Sequence, residues 1–275
     1  MKGRALIFYH SASGNTRWVT DRLAAALCAC GIETASRSIA RKPDTSDLAS
    51  YDLVGFGCPV MSFRPSFALS RFIRSLPLQT QTPAFIFTTY AGVLANTAWM
   101  LSNNLRDRGL VVVAHAHFKG EVSWPIARSV GLIVNRGLPG DTLLPAINGF
   151  AGSLAAELAE KHKTAVPPQP VDLPYSRLNV FHYIALLNSP AKLRAMMGTK
   201  RVNTALCTQC GWCEENCAAG AIALDPYPTF SRLCDGCWGC FNICPTGAIS
   251  TIVGTHGRYV VQGTTPKPPL ILNQL

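Results

Sequence analysis

Eight of the eleven cysteines in this 275-residue chain fall between positions 207 and 244, at a regular spacing. Residues 207–224 and 234–251 align at an offset of 27, so that Cys207, Cys210, Cys213 and Cys217 are matched by Cys234, Cys237, Cys240 and Cys244. Each copy reads C-x2-C-x2-C-x3-C. Thiolates are soft metal ligands, and three of them two residues apart wrap a short loop around one iron–sulfur cubane. Each run also brings a fourth cysteine, Cys217 or Cys244, four positions further on. Gly220 and Gly247 fit places where the chain turns tightly away. Ile222 and Ile249 would keep water off the centres. Zinc is the alternative, because its sites are also built from four cysteines, but zinc modules separate their C-x-x-C pairs. Trp212 and Trp238 flank the loops and read as packing residues.

A second chemical feature opens the chain. Ser11-Ala12-Ser13-Gly14-Asn15-Thr16 follows an apolar run and precedes a helical pattern. Hydroxyls and backbone N–H groups at a helix N-terminus bind anions. The loop has no Lys and no G-x(4)-G-K-[ST], which disfavours a nucleoside triphosphate, and no G-x-G-x-x-G follows a strand. A monophosphate fits best, with an ordinary capped turn as the plain alternative.

These loops need elements to position them. Ala5–Tyr9, Leu53–Gly57, Ala84–Thr88 and Leu110–Ala114 are short apolar runs typical of strands buried on both faces. Helical patterns cover Asn15–Cys30, Ser66–Leu76, Ala95–Asp107 and Ser153–Lys163, with Gly31 and Gly109 as stops. Repeated βα units predict a doubly wound parallel sheet with helices on both faces, and ligands beyond the carboxyl ends of its strands. Pro167, Pro168, Pro170 and Pro174 then make a stiff connector. Arg177–Met197 is apolar with scattered basic residues. It reads as a helical arm packed between the halves, or alternatively as a helix on a membrane surface. The expected organisation is residues 1–164, a linker and arm over 165–200, the cysteine domain over 201–255, and an extended tail over 256–275.

Composition narrows the class. Hydrophobic residues reach 48% and charged residues 15%, which excludes a disordered chain. The net charge of +10 is uneven, with +9 on residues 1–199 and +1 on residues 200–275. No apolar stretch is long enough to span a bilayer, and no signal peptide is expected from the opening residues. Metal-type cysteine spacing without export features argues against disulfides, so a reduced, cytoplasmic protein is expected. Nothing resembles a nucleic-acid recognition motif.

The cysteine runs resemble those of bacterial-type ferredoxins carrying two [4Fe–4S] clusters. That resemblance implies one cluster on Cys207, Cys210, Cys213 and Cys244, and another on Cys234, Cys237, Cys240 and Cys217. Ala218 stands where Pro usually follows the fourth cysteine, while Pro245 is present. Ser11, Ala12, Ser13, Gly14, Asn15 and Thr16 resemble the flavodoxin FMN phosphate loop. Pro59, Val60, Met61, Ser62 and Phe63 resemble its second loop, and Thr88, Thr89, Tyr90, Ala91 and Gly92 its third. Tyr90 is the candidate to stack on the flavin, with Phe63 or Met61 on the other face. The region Glu121–Pro125 has no firm assignment; Trp124 is expected in the core, with approach to the flavin as the alternative. Together the halves resemble the ferrodoxin family, EFR-type flavodoxin–ferredoxin fusions: a flavodoxin-like sheet followed by a two-cluster α+β ferredoxin domain. The resemblance implies an electron-transfer protein with FMN and two [4Fe–4S] clusters, relaying electrons to or from an external redox partner. The basic charge favours an acidic partner: a ferredoxin, a flavodoxin or a reductase. Two other readings are a flavoenzyme that reduces a small substrate at FMN, and a docking module with a vacant flavodoxin half.

Overall fold

The computed structural model describes residues 3–164, 166–254 and 256–262. The amino-terminal half alternates strands and helices: β1 (Arg4–Tyr9), α1 (Asn15–Ala29), β2 (Glu33–Ser38), β3 (Leu53–Met61), a two-residue return strand β4 (Arg64–Pro65), α2 (Phe67–Ser75), β5 (Thr82–Tyr90), α3 (Thr97–Arg106), β6 (Leu110–Lys119), α4 (Pro125–Ser129) and α5 (Leu144–Thr164). The main strands lie parallel in the order β2-β1-β3-β5-β6, with β4 hairpinned onto β3.

Both faces are covered. α1 and α5 bury Val19, Leu23, Leu27, Ile147 and Leu154 against Ile7, Phe85 and Phe87. On the other face Leu69, Ile73, Leu101 and Leu105, from α2 and α3, pack on Leu6, Phe8, Phe56 and Ile86. Gly55 and Gly57 make the centre possible: a Cβ on either would lie 2.2 Å from the Phe85 or Phe87 ring on the neighbouring strand. The apolar strand runs thus become buried strands, each longer than or equal to its sequence pattern.

Four departures matter. β2 has no apolar run; it is an edge strand of half-buried and exposed residues paired only with β1. β6 continues through His115-Ala116-His117-Phe118 to Lys119. α5 begins at Leu144, nine residues before the predicted start. The proline-rich connector lies along the open edge of β6, where the Val171 N–H donates to the Val112 carbonyl at 2.8 Å. Covering an edge strand in this way removes a template for unwanted pairing.

The arm is two helices, α6 (Val180–Leu187) and α7 (Pro190–Met197), with Asn188-Ser189 between them. Ser189 caps α7 by accepting the Lys192 N–H. The cysteine-rich half follows as β7 (Lys200–Val202), α8 (Trp212–Glu215), β8 (Ile222–Asp225), β9 (Tyr227–Phe230), α9 (Gly239–Ile243) and β10 (Ile249–Thr251). β7 pairs antiparallel with β10, and β8 with β9. The internal repeat is structural as well as textual, since α8 and α9, and β8 and β10, begin 27 residues apart. Residues 256–262, expected to begin an extended tail, run back to the amino-terminal half: the Val261 N–H donates to the Ser13 carbonyl at 3.0 Å. The rest of the expected tail, 263–275, lies outside the described residues.

Candidate functional site

Three loops converge at the carboxyl edge of the sheet. Gly14 precedes α1 at φ 97°, a left-handed conformation that an L side chain rarely adopts, and its carbonyl accepts the Trp18 N–H. Ser11 Oγ accepts the Arg17 N–H at 3.1 Å, and the Thr16 and Thr89 hydroxyls pair at 2.8 Å, tying the first loop to the third. Asn15 Nδ2 donates to the Glu121 carbonyl at 2.9 Å. These contacts surround a cavity of about 130 Å³. Its walls are Ser11, Ala12, Ser13, Asn15 and Thr16, then Pro59, Val60 and Met61, then Thr89, Tyr90 and Ala91, and finally Glu121 to Trp124.

The remaining candidates from those loops lie elsewhere. Gly14 shapes the turn. Ser62 and Phe63 form the tip of the β3–β4 hairpin at φ 51° and 67°. Phe63 lays its ring 4.6 Å from Phe181 of α6, so it packs on the arm and not over the cavity. Thr88 is buried with its hydroxyl 2.8 Å from His117 Nδ1, and Gly92 faces solvent. The second aromatic in the cavity wall is Trp124, which is 46% exposed and therefore not a core residue. Approach to the flavin was the alternative for Trp124, and Glu121, Val122 and Ser123 had no assignment, because β6 was expected to stop at Ala114. With β6 ending at Lys119, they form a fourth loop on the same sheet edge. The Glu121 carboxylate is held by Arg128 at 2.5 Å and the Gly137 N–H at 2.7 Å, which fixes the loop.

In the second half the eight thiols divide into two groups around small voids. Cys207, Cys210, Cys213 and Cys244 line one; Cys217, Cys234, Cys237 and Cys240 line the other. The fourth cysteine of each run thus crosses to the other run's group. Backbone N–H groups point at the sulfurs in matched pairs: Ala221 to Cys217 Sγ at 3.3 Å, and Ala248 to Cys244 Sγ at 3.2 Å. Gly236 and Gly239 donate similarly to Cys234 and Cys237. Ile222 lines the second void and Ile249 the first. Gly220 and Gly247 hold left-handed turns at φ 59° and 72°. Burial pushes the Cys213 and Cys237 thiols up to about 12 and raises Cys217 and Cys240 as well. Among the described residues, no three His, Cys, Asp or Glu side chains converge as ligands of one metal ion.

Two buried polar atoms without partners adjoin these voids. His10 Nδ1, following β1, borders the second void, and Thr208 Oγ1 borders the first. Unpaired buried polar atoms are rare in folded proteins, so each calls for a hydrogen-bond partner. Burial also lowers the His10 pKa to about 4, so the ring is neutral at neutral pH.

The halves are joined where these sites meet. Cys237 belongs to the wall of the second void and also to the wall of the sheet-edge cavity. Arg71 of α2 grips buried Asp235 through two 2.8 Å hydrogen bonds, and Asn242 Nδ2 donates to the Ser123 carbonyl at 3.0 Å. The Tyr259 hydroxyl donates within the same region, 3.0 Å from Asn15 Oδ1 and 2.9 Å from the Leu138 carbonyl.

A larger groove of about 360 Å³ lies beside the first loop and includes Arg17, Arg37, Arg41 and Trp212. Each of its arginines has a carboxylate within 4.0 Å: Asp21, Asp47 and Glu215 respectively. Cys58 is fully buried on β3 with its thiol pushed up to about 12, which leaves it unreactive.

No protein-family model matches the chain, and no curated protein matches it. Solved structures that resemble it include a flavodoxin from the domain Archaea, with 15% identity over 57% of this chain and 99% of that one at a TM-score of 0.43. Flavodoxin 2 of Bacillus cereus shows 20% identity over 58% and 99% of the two chains, TM-score 0.43. Rubredoxin oxygen:oxidoreductase from Desulfovibrio gigas shows 16% identity over 58% of this chain and 37% of that one, TM-score 0.43. With the β4 hairpin set aside, the parallel order is the 2-1-3-4-5 of flavodoxin-like sheets. The amino-terminal half is accordingly a flavodoxin-like α/β domain.

Proposed function

We propose that the chain is an electron-transfer flavo-iron–sulfur protein, with FMN in the sheet-edge cavity and a [4Fe–4S] cluster in each thiol-lined void. The observation that carries this reading is the place of Cys237, which borders both the cavity between the loops and the second void. A ligand of one redox group that touches the next makes a short electron path.

When bound, FMN exchanges one or two electrons and each cluster one. The protein's part is to hold and insulate these groups. Ser11, Ser13, Asn15 and Thr16 surround the start of α1, where hydroxyls and the helix N-terminus favour a phosphate without a cation in the loop. Tyr90 and Trp124 offer aromatic faces to a planar ring, with Met61 in the same wall. Cys207, Cys210, Cys213 and Cys244 would hold the first cluster; Cys217, Cys234, Cys237 and Cys240 the second. These buried thiols, with raised pKa, would release their protons into solvent when displaced by a strongly cationic group such as an iron–sulfur core. The inward N–H groups, with His10 and Thr208, supply donors to sulfur, and Ile222 and Ile249 exclude water.

The formal charge of +10 supports an acidic redox partner, since it would steer encounter in a salt-dependent way. The test is anaerobic purification followed by iron, sulfide and flavin analysis, then reductive titration. About eight iron, eight sulfide and one FMN per chain are expected, with flavin and cluster absorbance exchanging electrons. A colourless protein, or one holding only zinc, overturns the reading.

A further inference from the structure

α6 carries a face that the fold leaves uncovered. It buries His182 and Ala185 and sets Phe181 on Phe63. Its other large side chains face solvent. Six of the ten residues from 178 to 187 are exposed large hydrophobics: Leu178, Val180, Tyr183, Ile184, Leu186 and Leu187. Leu178 is 95% and Leu187 67% exposed. Single exposed apolar side chains are ordinary, whereas a contiguous group of this size marks an interaction surface.

The segment that carries this face has charge of one sign. No Asp or Glu occurs from residue 173 to residue 213, while Arg177, Lys192, Arg194, Lys200 and Arg201 all fall there. Arg194 and Lys200 turn inward to the Cys234 carbonyl and sulfur. Arg177 and Lys192 are exposed on either side of α6. Arg64 adds a guanidinium against the Ala185 and Asn188 carbonyls at the end of the helix, and exposed Arg74 lies close enough to Arg64 to repel it.

We infer that α6 and its basic flanks seat this protein on the surface of an anionic lipid bilayer. Leu178, Val180, Leu186 and Leu187 enter the boundary between headgroups and acyl chains, while Arg177 and Lys192 meet lipid phosphates. Among the described residues no helix is long and apolar enough to cross a membrane, so the contact lies in the plane of the surface. A second copy docked on the same face would set Arg177 and Lys192 against their own images. An acidic protein would satisfy the charges but would not need six apolar side chains.

The full cofactor-loaded chain is sedimented with vesicles of phosphatidylcholine, or of phosphatidylcholine mixed with phosphatidylglycerol, and protein in the pellet is measured. Binding to the mixed vesicles alone is expected, lost at high salt, and weakened about tenfold or more by Arg177→Glu/Lys192→Glu or by Leu186→Asn/Leu187→Asn. Unchanged flavin and cluster absorbance per chain in both variants shows that they are folded. Because the readout is protein in the pellet, it stands whatever the cofactors prove to be. The inference is overturned if the wild type stays in the supernatant, if it pellets equally with both vesicle types, or if the variants bind like the wild type. A concentration-dependent dimer abolished by Leu186→Asn/Leu187→Asn would also overturn it.

Discussion

Lys200 Nζ donates to Cys234 Sγ across 2.9 Å, and the same ammonium lies over the Phe230 ring, 4.9 Å from its centroid. Lys200 also feels Cys237 and Cys240. The void lined by Cys207, Cys210, Cys213 and Cys244 has no lysine in its wall. Arg258 feels one cysteine of each group, Cys244 and Cys240, whereas Lys200 feels Cys234, Cys237 and Cys240 of the second, which makes the two pseudo-symmetric thiol groups electrostatically unequal.

A positive charge beside a thiolate ligand stabilises the more negative, reduced state of the group that the thiolate holds. Lys200→Met is expected to lower the midpoint potential of the cluster held by Cys234 by an amount on the order of 100 mV, whereas Lys200→Arg, which keeps the positive charge, leaves the potential near that of the wild type. Redox titration followed by electron paramagnetic resonance resolves the two clusters. A shift in the cluster on Cys207, or none in either, would contradict this assignment.

The Arg71–Asp235 pair predicts an asymmetric response to mutation. Asp235 is 4% exposed at its side chain and Arg71 41%. Arg71→Ala strands a buried carboxylate, while Asp235→Asn leaves Arg71 free to reach water. Removing the arginine should cost about 3 kcal/mol, and the Asp235 change clearly less. Urea unfolding of the two variants measures the difference, and equal losses would mean that the carboxylate is not desolvated.

How far these contacts were legible depended on their range in the sequence. The cysteine runs carry their own geometry, because three ligands of each void sit within seven residues and the copies repeat at an offset of 27. Residues 11–16, 59–61 and 89–91 could be found because each comes after an apolar run, although 59–61 and 89–90 prove to be the ends of β3 and β5. β2 was invisible, since Glu33-Thr34-Ala35-Ser36-Arg37-Ser38 shows neither an apolar run nor a clean alternation; pairing with β1 makes it a strand. Trp124 was misplaced because the polar His115 and His117 masked the continuation of β6. Phe63 was assigned to the flavin because nothing local reveals Phe181, more than a hundred residues away. The return of Tyr259 to Asn15 spans 244 residues and left no sequence signal.

That return contact makes a prediction about flavin retention. Tyr259 donates its hydroxyl toward Asn15 Oδ1 and the Leu138 carbonyl, holding the Asn15 side chain while Asn15 Nδ2 binds the Glu121 carbonyl. Tyr259→Phe keeps the ring and removes the single hydroxyl proton shared between these two acceptors, a hydrogen bond worth about 1 kcal/mol. FMN affinity, followed by quenching of flavin fluorescence during titration of the apoprotein, is expected to fall about five- to tenfold. Cluster content should be unchanged. An unaltered affinity would mean that Asn15 is positioned without the tyrosine.

His117 offers a pH test that does not depend on any cofactor. Burial, with the neighbouring His115, lowers its pKa to about 4 from an ordinary 6.5, and its Nδ1 lies 2.8 Å from the Thr88 hydroxyl. The unfolded chain therefore binds a proton at this residue at a higher pH than the folded chain does. As pH falls from about 6.5 toward 4, protonation favours the unfolded state and stability declines; above about 6.5 the contribution is constant. The imidazole is partly accessible, so the loss attributable to it is on the order of 2 kcal/mol across that window. His117→Asn should flatten the dependence of the urea midpoint on pH between 6.5 and 5 relative to wild type. An equally steep profile in the variant would show that His117 can take up its proton in place, with no need to leave the sheet.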